Sequence, residues 1–143
     1  MWIEALRSGE YTQGRDYLSR RTPAGTYLFG PLGVACELYT LVHPGSIKVT
    51  EVDDVQRYDG YYTTLPPLVQ QWLGLATDRA DYIDSNGHQR NLTSDNDIRH
   101  LSFEEIAQII EDHQRIIYDN DHFVGVPKER QIYIAKRVAE LEE

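Results

Sequence analysis

The chain has little cysteine and no zinc-binding pattern. Its one cysteine, Cys36, cannot form an internal disulfide, and its five histidines include no His-Glu-x-x-His or His-x-x-x-His spacing. Cys36 lies on the apolar face of a predicted helix, so we expect a buried, inert thiol. These absences exclude a disulfide-linked scaffold, and we predict neither a metal ion nor a cofactor.

Long apolar runs and basic charge are also scarce. No stretch reaches the roughly 18 to 20 apolar residues that cross a bilayer, and the N-terminus has neither the basic start nor the apolar stretch of a secretory signal. The 14 basic residues are outnumbered by 23 acids, which gives a net charge of −9. This charge opposes direct binding to DNA or to an anionic membrane. We expect a cytoplasmic protein.

No catalytic motif is present. The glycines of Gly30-Pro31-Leu32-Gly33 lack the lysine and the spacing of a phosphate loop, and no nucleophile–base pair can be drawn. Asp84-Ser85-Asn86-Gly87 and Asp95-Asn96-Asp97 do not fit a calcium loop, which needs glycine at the sixth position and glutamate at the twelfth. We therefore predict that the protein is not an enzyme.

Periodicity predicts an α+β fold in a single domain, residues 1–143. Helical patterns occupy residues 2–7, 31–42, 65–74 and 102–113, and a last helix begins near Pro127. The third of these has its buried stripe at Leu68, Val69, Trp72 and Leu73. Strand patterns predict two hairpins, at residues 46–64 with a turn at Asp59-Gly60 and at residues 81–93 with a turn at Asn86-Gly87. The expected architecture is a small antiparallel sheet packed with four or five helices.

The strongest local signal is a capping box. Ser102 is followed three residues later by Glu105, and an apolar stripe from Phe103 to Ile110 begins inside it. The preceding residues, 95–97, are rich in oxygen atoms. We interpret them as a turn that pairs backbone amides before this helix, although a binding role stays open.

Residues 11–21 hold the most plausible binding groups. Arginine binds phosphate through two nitrogens, tyrosine rings stack on bases, and amides read base edges. The candidate residues in this segment are Tyr11, Gln13, Arg15, Tyr17, Arg20 and Arg21. The alternative is a solvated loop whose arginines pair with the acidic region, residues 81–122, which holds ten acids and three arginines.

The order of several motifs resembles a family of small, uncharacterised bacteriophage and prophage proteins. The matching segments are residues 2–14, 29–36, 65–75, 96–97 and 102–107. A cysteine pair of the family is replaced here near Gly30-Pro31, which argues against a metal or redox role for that segment. The resemblance covers residues 2–112. It implies that residues 113–143 are an added C-terminal helical segment, which we expect to mediate oligomerisation.

The resemblance implies a phage protein that counters host defence in the host cytoplasm. One hypothesis is a homo-oligomer that sequesters a small, anionic and potentially cyclic nucleotide through residues 11–21. Asn96 and Asp97 recur with the capped helix in the family and are added to the candidate ligand-binding residues. The other hypothesis is an acidic inhibitor that blocks a nucleic-acid-binding host defence protein through residues 81–122.

Overall fold

The computed structural model describes residues 1–117 and confirms the predicted α+β class. The helix predicted near Pro127 and most of the predicted added segment lie outside these residues. Within the described part of the chain, no helix is long and apolar enough to cross a membrane.

Residues 1–117 form five helices and a one-turn helical segment. They are α1 Trp2–Arg7, α2 Pro31–Val42, α3 Pro67–Leu73, α4 Leu92–Asp97, α5 Phe103–Asp112 and the short α6 Gln114–Ile117. The predicted end of α3 and the predicted start of α5 are confirmed, and a local sequence signal marks each of them. Gly74 ends α3 in the left-handed conformation, and Ser102 and Glu105 form both hydrogen bonds of the capping box of α5.

The strands form two antiparallel sheets. The larger sheet holds β1 Ser19–Arg21, β2 Tyr27–Phe29, β3 Val49–Val52 and β4 Val55–Tyr58, in the order β2-β1-β4-β3. The smaller sheet pairs β5 Asp81–Ile83 with β6 Gln89–Asn91, as the predicted second hairpin requires. Arg20 of β1 lies opposite Val55 of β4, and this pairing joins the hairpins of the larger sheet.

The β1–β2 hairpin was not predicted, because its three-residue strands are too short to show a two-residue period and no Asn-Gly or Asp-Gly turn joins them, as one joins the equally short β5 and β6. The turn of the β3–β4 hairpin was placed wrongly. It lies at Asp53 and Asp54, which both have positive φ, as the primed turns of hairpins require. Asp59-Gly60 forms a separate tight turn that pairs Tyr58 with Tyr61.

The core lies where α1 packs against α2 and α5, and where α2 packs against α3, α4 and β2 of the larger sheet. The Trp2 ring is fully buried, and its Nε1 donates to the Pro31 carbonyl at 2.9 Å. Gly33 permits a close approach of α2 to β1, since a Cβ there would lie 1.6 Å from the Leu18 carbonyl oxygen. One predicted core residue is wrong. Leu68 is 44% exposed, because α3 is short and buries only Val69 and Leu73 fully.

The predicted turn at residues 95–97 is also wrong. These residues belong to α4, whose first turn is capped by the Asn91 side chain, which accepts from the Ser94 amide at 2.8 Å. Asp95 and Asn96 are buried. The Tyr82 hydroxyl donates to Asp95, and Arg99 pairs with the same carboxylate at 2.8 Å. The polar stretch is therefore part of the packed interior.

Candidate functional site

The first part of the candidate segment, residues 11–16, packs against α4. Gln13 Nε2 donates to Asn96 Oδ1 and to the Leu101 carbonyl, both at 2.7 Å. In return, Asn96 Nδ2 donates to the Gly14 carbonyl at 2.8 Å. These two amides therefore bind each other and the surrounding backbone.

Arg15 and Asp97 complete this contact. Arg15 Nε donates to the Asn96 carbonyl at 3.1 Å, and Asp97 Oδ1 accepts from the Asp16 amide at 2.9 Å. Together, residues 13–16 and 96–97 form what we call the loop–helix joint. The structure brings four candidate residues into this joint, namely Gln13, Arg15, Asn96 and Asp97. Because their polar groups bond to one another, the joint holds the segment in place and leaves few groups for a ligand.

The space beside the joint is small. The cavity at the start of α2, bordered by Tyr17, Asn96 and Asp97, has a volume of about 10 Å³. A cavity of this size holds at most about one water molecule. Tyr11 is also unsuited to stacking on a ligand, since its half-buried ring packs edge-on against Phe29 with centroids 5.3 Å apart. Burial raises the pKa of Tyr11, and the nearby charges of Glu37 and Glu10 raise it further.

The second part of the segment, residues 17–21, runs into β1, where side chains alternate between the two faces of the sheet. Arg21 pairs with Glu51 at 2.9 Å and with Asp54 at 3.3 Å. Its hydrogen bond to Asp54 is the main cause of its raised pKa. The sequence left open that the arginines pair with acids of residues 81–122. Arg21 does not, because its acidic partners lie on the β3–β4 hairpin.

Arg20 points to the opposite face from Arg21 and has no acidic or hydrogen-bond partner for its side chain within residues 1–117. Arg57 shares that face, because it lies two residues from Val55, the partner of Arg20.

The Arg57 guanidinium carbon lies 4.5 Å from the centroid of the Tyr62 ring, and its Nε is buried without a hydrogen-bond partner among the described residues. The Tyr17 ring lies 6.4 Å from that of Tyr62. We call Tyr17, Arg20, Arg57 and Tyr62 the arginine face.

The arginine face borders an open cavity of about 270 Å³. Its lining residues are Tyr17, Arg20, Arg21, Pro23, Asp53, Asp54 and Val55. Sequence analysis missed Arg57 and Tyr62. The available signal was the alternation in β4, which places Arg57 on the face opposite the buried Gln56 and Tyr58.

A second cavity lies on the other side of the larger sheet, between the strands and α2. Its volume is about 350 Å³, and we call it the Glu37 cavity. Its lining residues are Ser19, Tyr27, Phe29, Glu37, Thr40, Val49, Gln56 and Tyr58. The Tyr58 hydroxyl donates to Glu37 Oε2 at 3.0 Å, and burial, followed by the charge of Glu37, raises the pKa of Tyr58. None of these residues was a candidate from the sequence.

The acidic region is mostly committed to internal contacts. Asp84 accepts from the amides of Asn86 and His88 and from Arg90 Nε, and these hydrogen bonds lower its pKa. Glu104 and Glu111 both pair with Arg7, each at 3.1 Å. The other engaged acids are Asp95, Asp97, Glu105 and Asp112. Of the acids of this region that the structure describes, Asp81 alone has a side chain without such a contact.

Cys36 is fully buried, as predicted, and burial raises the pKa of its thiol. Among residues 1–117, no three His, Cys, Asp or Glu side chains converge as metal ligands.

The chain belongs to a family described as domain of unknown function DUF8296, whose model matches residues 1–114. No curated protein and no solved structure matches the chain. The arginine face and the Glu37 cavity both lie within the matched residues. The resemblance to bacteriophage and prophage proteins stays a prediction.

Proposed function

We propose that the protein is a non-enzymatic binder of a small anionic nucleotide and that the arginine face is its binding surface. One observation carries this proposal. Arg20 and Arg57 share one face of the sheet, and neither guanidinium has an acidic partner among the described residues. In a chain with a net charge of −9, two such arginines are free to bind an anion.

The geometry suits a phosphate with a base attached. Diagonal neighbours on paired strands lie about 7 to 8 Å apart, so one phosphate or two linked phosphates can reach both guanidinium groups. The Arg57 guanidinium carbon lies 4.5 Å from the centroid of the Tyr62 ring, and a guanidinium group that contacts a ring face can still donate hydrogen bonds to an anion. The exposed Tyr17 ring supplies a surface on which a base can stack.

The proposal revises the set of candidate residues. Tyr17 and Arg20 stay in the binding surface, with Arg57 and Tyr62 added. Arg21 borders the same cavity but is already paired with acids. The residues of the loop–helix joint support the segment instead of contacting the ligand.

The biological setting follows the sequence-based expectation. A protein that holds a nucleotide signal without converting it would counter a host defence by sequestration in the cytoplasm. The cavity at the arginine face is open to solvent, so a second copy in a homo-oligomer would help to enclose the ligand. The alternative, an acidic inhibitor of a host defence protein, has weaker support because most described acids of residues 81–122 are held by neighbouring groups.

Isothermal titration calorimetry tests the proposal. The ligands are cyclic dinucleotides, ADP-ribose and AMP, with adenosine as the comparator that lacks phosphate. Arg20→Ala and Arg57→Ala should each weaken binding of the phosphate-bearing ligands by about tenfold or more, since each removes a charge-assisted contact. Arg79→Ala is the matched control, because Arg79 is exposed and its side chain forms no hydrogen bond or ion pair among the described residues.

The outcomes separate the hypotheses. Binding that is weakened by Arg20→Ala and unchanged by Arg79→Ala supports the arginine face. No heat with any of the nucleotides, or equal affinity for AMP and adenosine, refutes it. Chromatography of the ligand recovered after incubation checks for turnover, and a converted nucleotide would show that the protein is an enzyme.

A further inference from the structure

The Glu37 cavity has the size and the chemistry of a ligand site that is separate from the arginine face. Its volume of about 350 Å³ lies within the range of about 300 to 1,000 Å³ usual for small-molecule pockets. It lies between the larger sheet and α2, whereas Arg20 and Arg57 are on the other side of the same sheet.

Two polar groups in this cavity lack the partners that their burial calls for. The Ser19 side chain is 1% exposed, and its hydroxyl lowers the pKa of the neighbouring Tyr58 but makes no hydrogen bond of normal geometry with any described residue. The half-buried Glu37 carboxylate accepts from the Tyr58 hydroxyl but has no lysine or arginine beside it in residues 1–117. An uncompensated carboxylate and an unpaired buried hydroxyl are both costly, so each favours a ligand that supplies hydrogen-bond donors and positive charge.

The rest of the lining supports the same ligand class. Tyr27, Phe29 and Tyr58 surround the cavity, and aromatic rings attract ammonium and guanidinium groups through their faces. A divalent metal ion is poorly matched, because Glu37 is the only carboxylate that lines the cavity and no three ligating side chains converge within the described residues. An anion would be repelled by the same carboxylate.

We propose that the Glu37 cavity binds a small organic cation, with Glu37 pairing to its ammonium or guanidinium group and Ser19 accepting a further hydrogen bond. The aromatic side chains enclose the apolar part of this ligand. The site is independent of the nucleotide proposal, since it uses different residues on the opposite side of the sheet.

Calorimetry with phenethylammonium, 1,4-diaminobutane and tetramethylammonium chlorides tests this inference, with 2-phenylethanol as the neutral comparator. The ammonium probes should bind, and phenethylammonium should bind more tightly than 2-phenylethanol. Glu37→Gln keeps the acceptor for Tyr58 but removes the charge, and it should weaken ammonium binding by about tenfold or more. Asp78→Asn is the control, because it removes an exposed acid outside the cavity.

A second variant covers the case in which Glu37→Gln fails to fold. Val49 lines the cavity and is 43% exposed, so Val49→Trp should fill the opening while it leaves every charge in place. It should also abolish ammonium binding. Equal binding of the ammonium and the alcohol, no binding of any ammonium probe, or unchanged affinity in both variants would overturn the inference. Arg20→Ala should leave ammonium binding intact, which separates this site from the nucleotide site.

Discussion

The two parts of the candidate segment, residues 11–16 and 17–21, have similar compositions but differ in how their polar side chains are paired. In residues 11–16, Gln13 and Arg15 bond to α4 and to the chain before α5. In residues 17–21, Arg20 is left without a side-chain partner among the described residues, and it lies beside the exposed Tyr17. The comparison teaches that residue type does not identify a binding group. What matters is whether the fold has already paired it.

The largest loss of stability is expected at Gly33, which packs against Leu18 in the second part. Gly33→Ala would place a Cβ 1.6 Å from the Leu18 carbonyl, and backbone there cannot move without disturbing β1. We expect a loss of about 3 kcal/mol in the free energy of unfolding, measured by urea denaturation. Gly30→Ala is the matched comparison, since its Cβ would lie 3.0 Å from the Tyr17 carbonyl. Equal effects of the two variants would contradict the steric argument.

Asn96→Ala breaks the loop–helix joint. The change removes the acceptor of Gln13 and the donor to the Gly14 carbonyl, and it leaves buried polar groups unpaired. The expected loss in the free energy of unfolding is about 2 kcal/mol, measured in the same way. Nucleotide affinity of the folded variant should stay within a few-fold of the parent protein. Lost affinity with unchanged stability would instead make Asn96 a ligand contact.

Arg20→Ala tests the second part of the candidate segment. Because Arg20 has no side-chain partner among the described residues, its removal should change the free energy of unfolding by no more than about 0.5 kcal/mol. Thermal and urea denaturation measure this, alongside the calorimetry described above. A destabilisation as large as that of Asn96→Ala would show that Arg20 has a structural role and would weaken the proposed function.

The smallest change in stability is expected at Asp84, an acid of residues 81–122 whose carboxylate accepts hydrogen bonds from backbone amides of its own turn. Its pKa is lowered in the folded state, chiefly by the hydrogen bond from the His88 amide, so its ionised form stabilises the fold above the unfolded pKa of about 4. This contribution is lost as the pH falls through the folded pKa. Asp84→Asn should therefore be less stable than the parent protein at pH 7, and the difference should shrink towards pH 3. A difference that does not depend on pH would contradict this assignment.

Much of the fold was predictable where short-range chemistry decides it. Ser102 and Glu105 marked the start of α5, and Asn86-Gly87 marked the turn between β5 and β6. The errors fall where distant residues decide. Nothing near β1 in the sequence indicates its pairing with β4, and nothing near Leu68 indicates that its side of α3 faces solvent.

The candidate site was predicted in part for the same reason. The segment and its residue types were found, but the sequence did not show that Asn96 binds Gln13 across 83 positions. Nor did it show that Arg57 lies on the Tyr62 ring, or that Glu37 and Ser19 border one cavity. These pairings depend on the packing of the larger sheet against its neighbours.

The sequence by itself determined the fold class, the capped helix, the β5–β6 hairpin and a buried Cys36. It could do so because caps, tight turns and apolar periods act over a few residues. The tertiary structure decided which polar groups are satisfied: Arg21 by Glu51 and Asp54, and the loop–helix joint by its own members. Among residues 1–117, it left Arg20 and Glu37 without a charged partner, on opposite sides of the larger sheet. Hydrogen-bond and charge satisfaction depend on distances between remote residues, and only the folded chain fixes those distances.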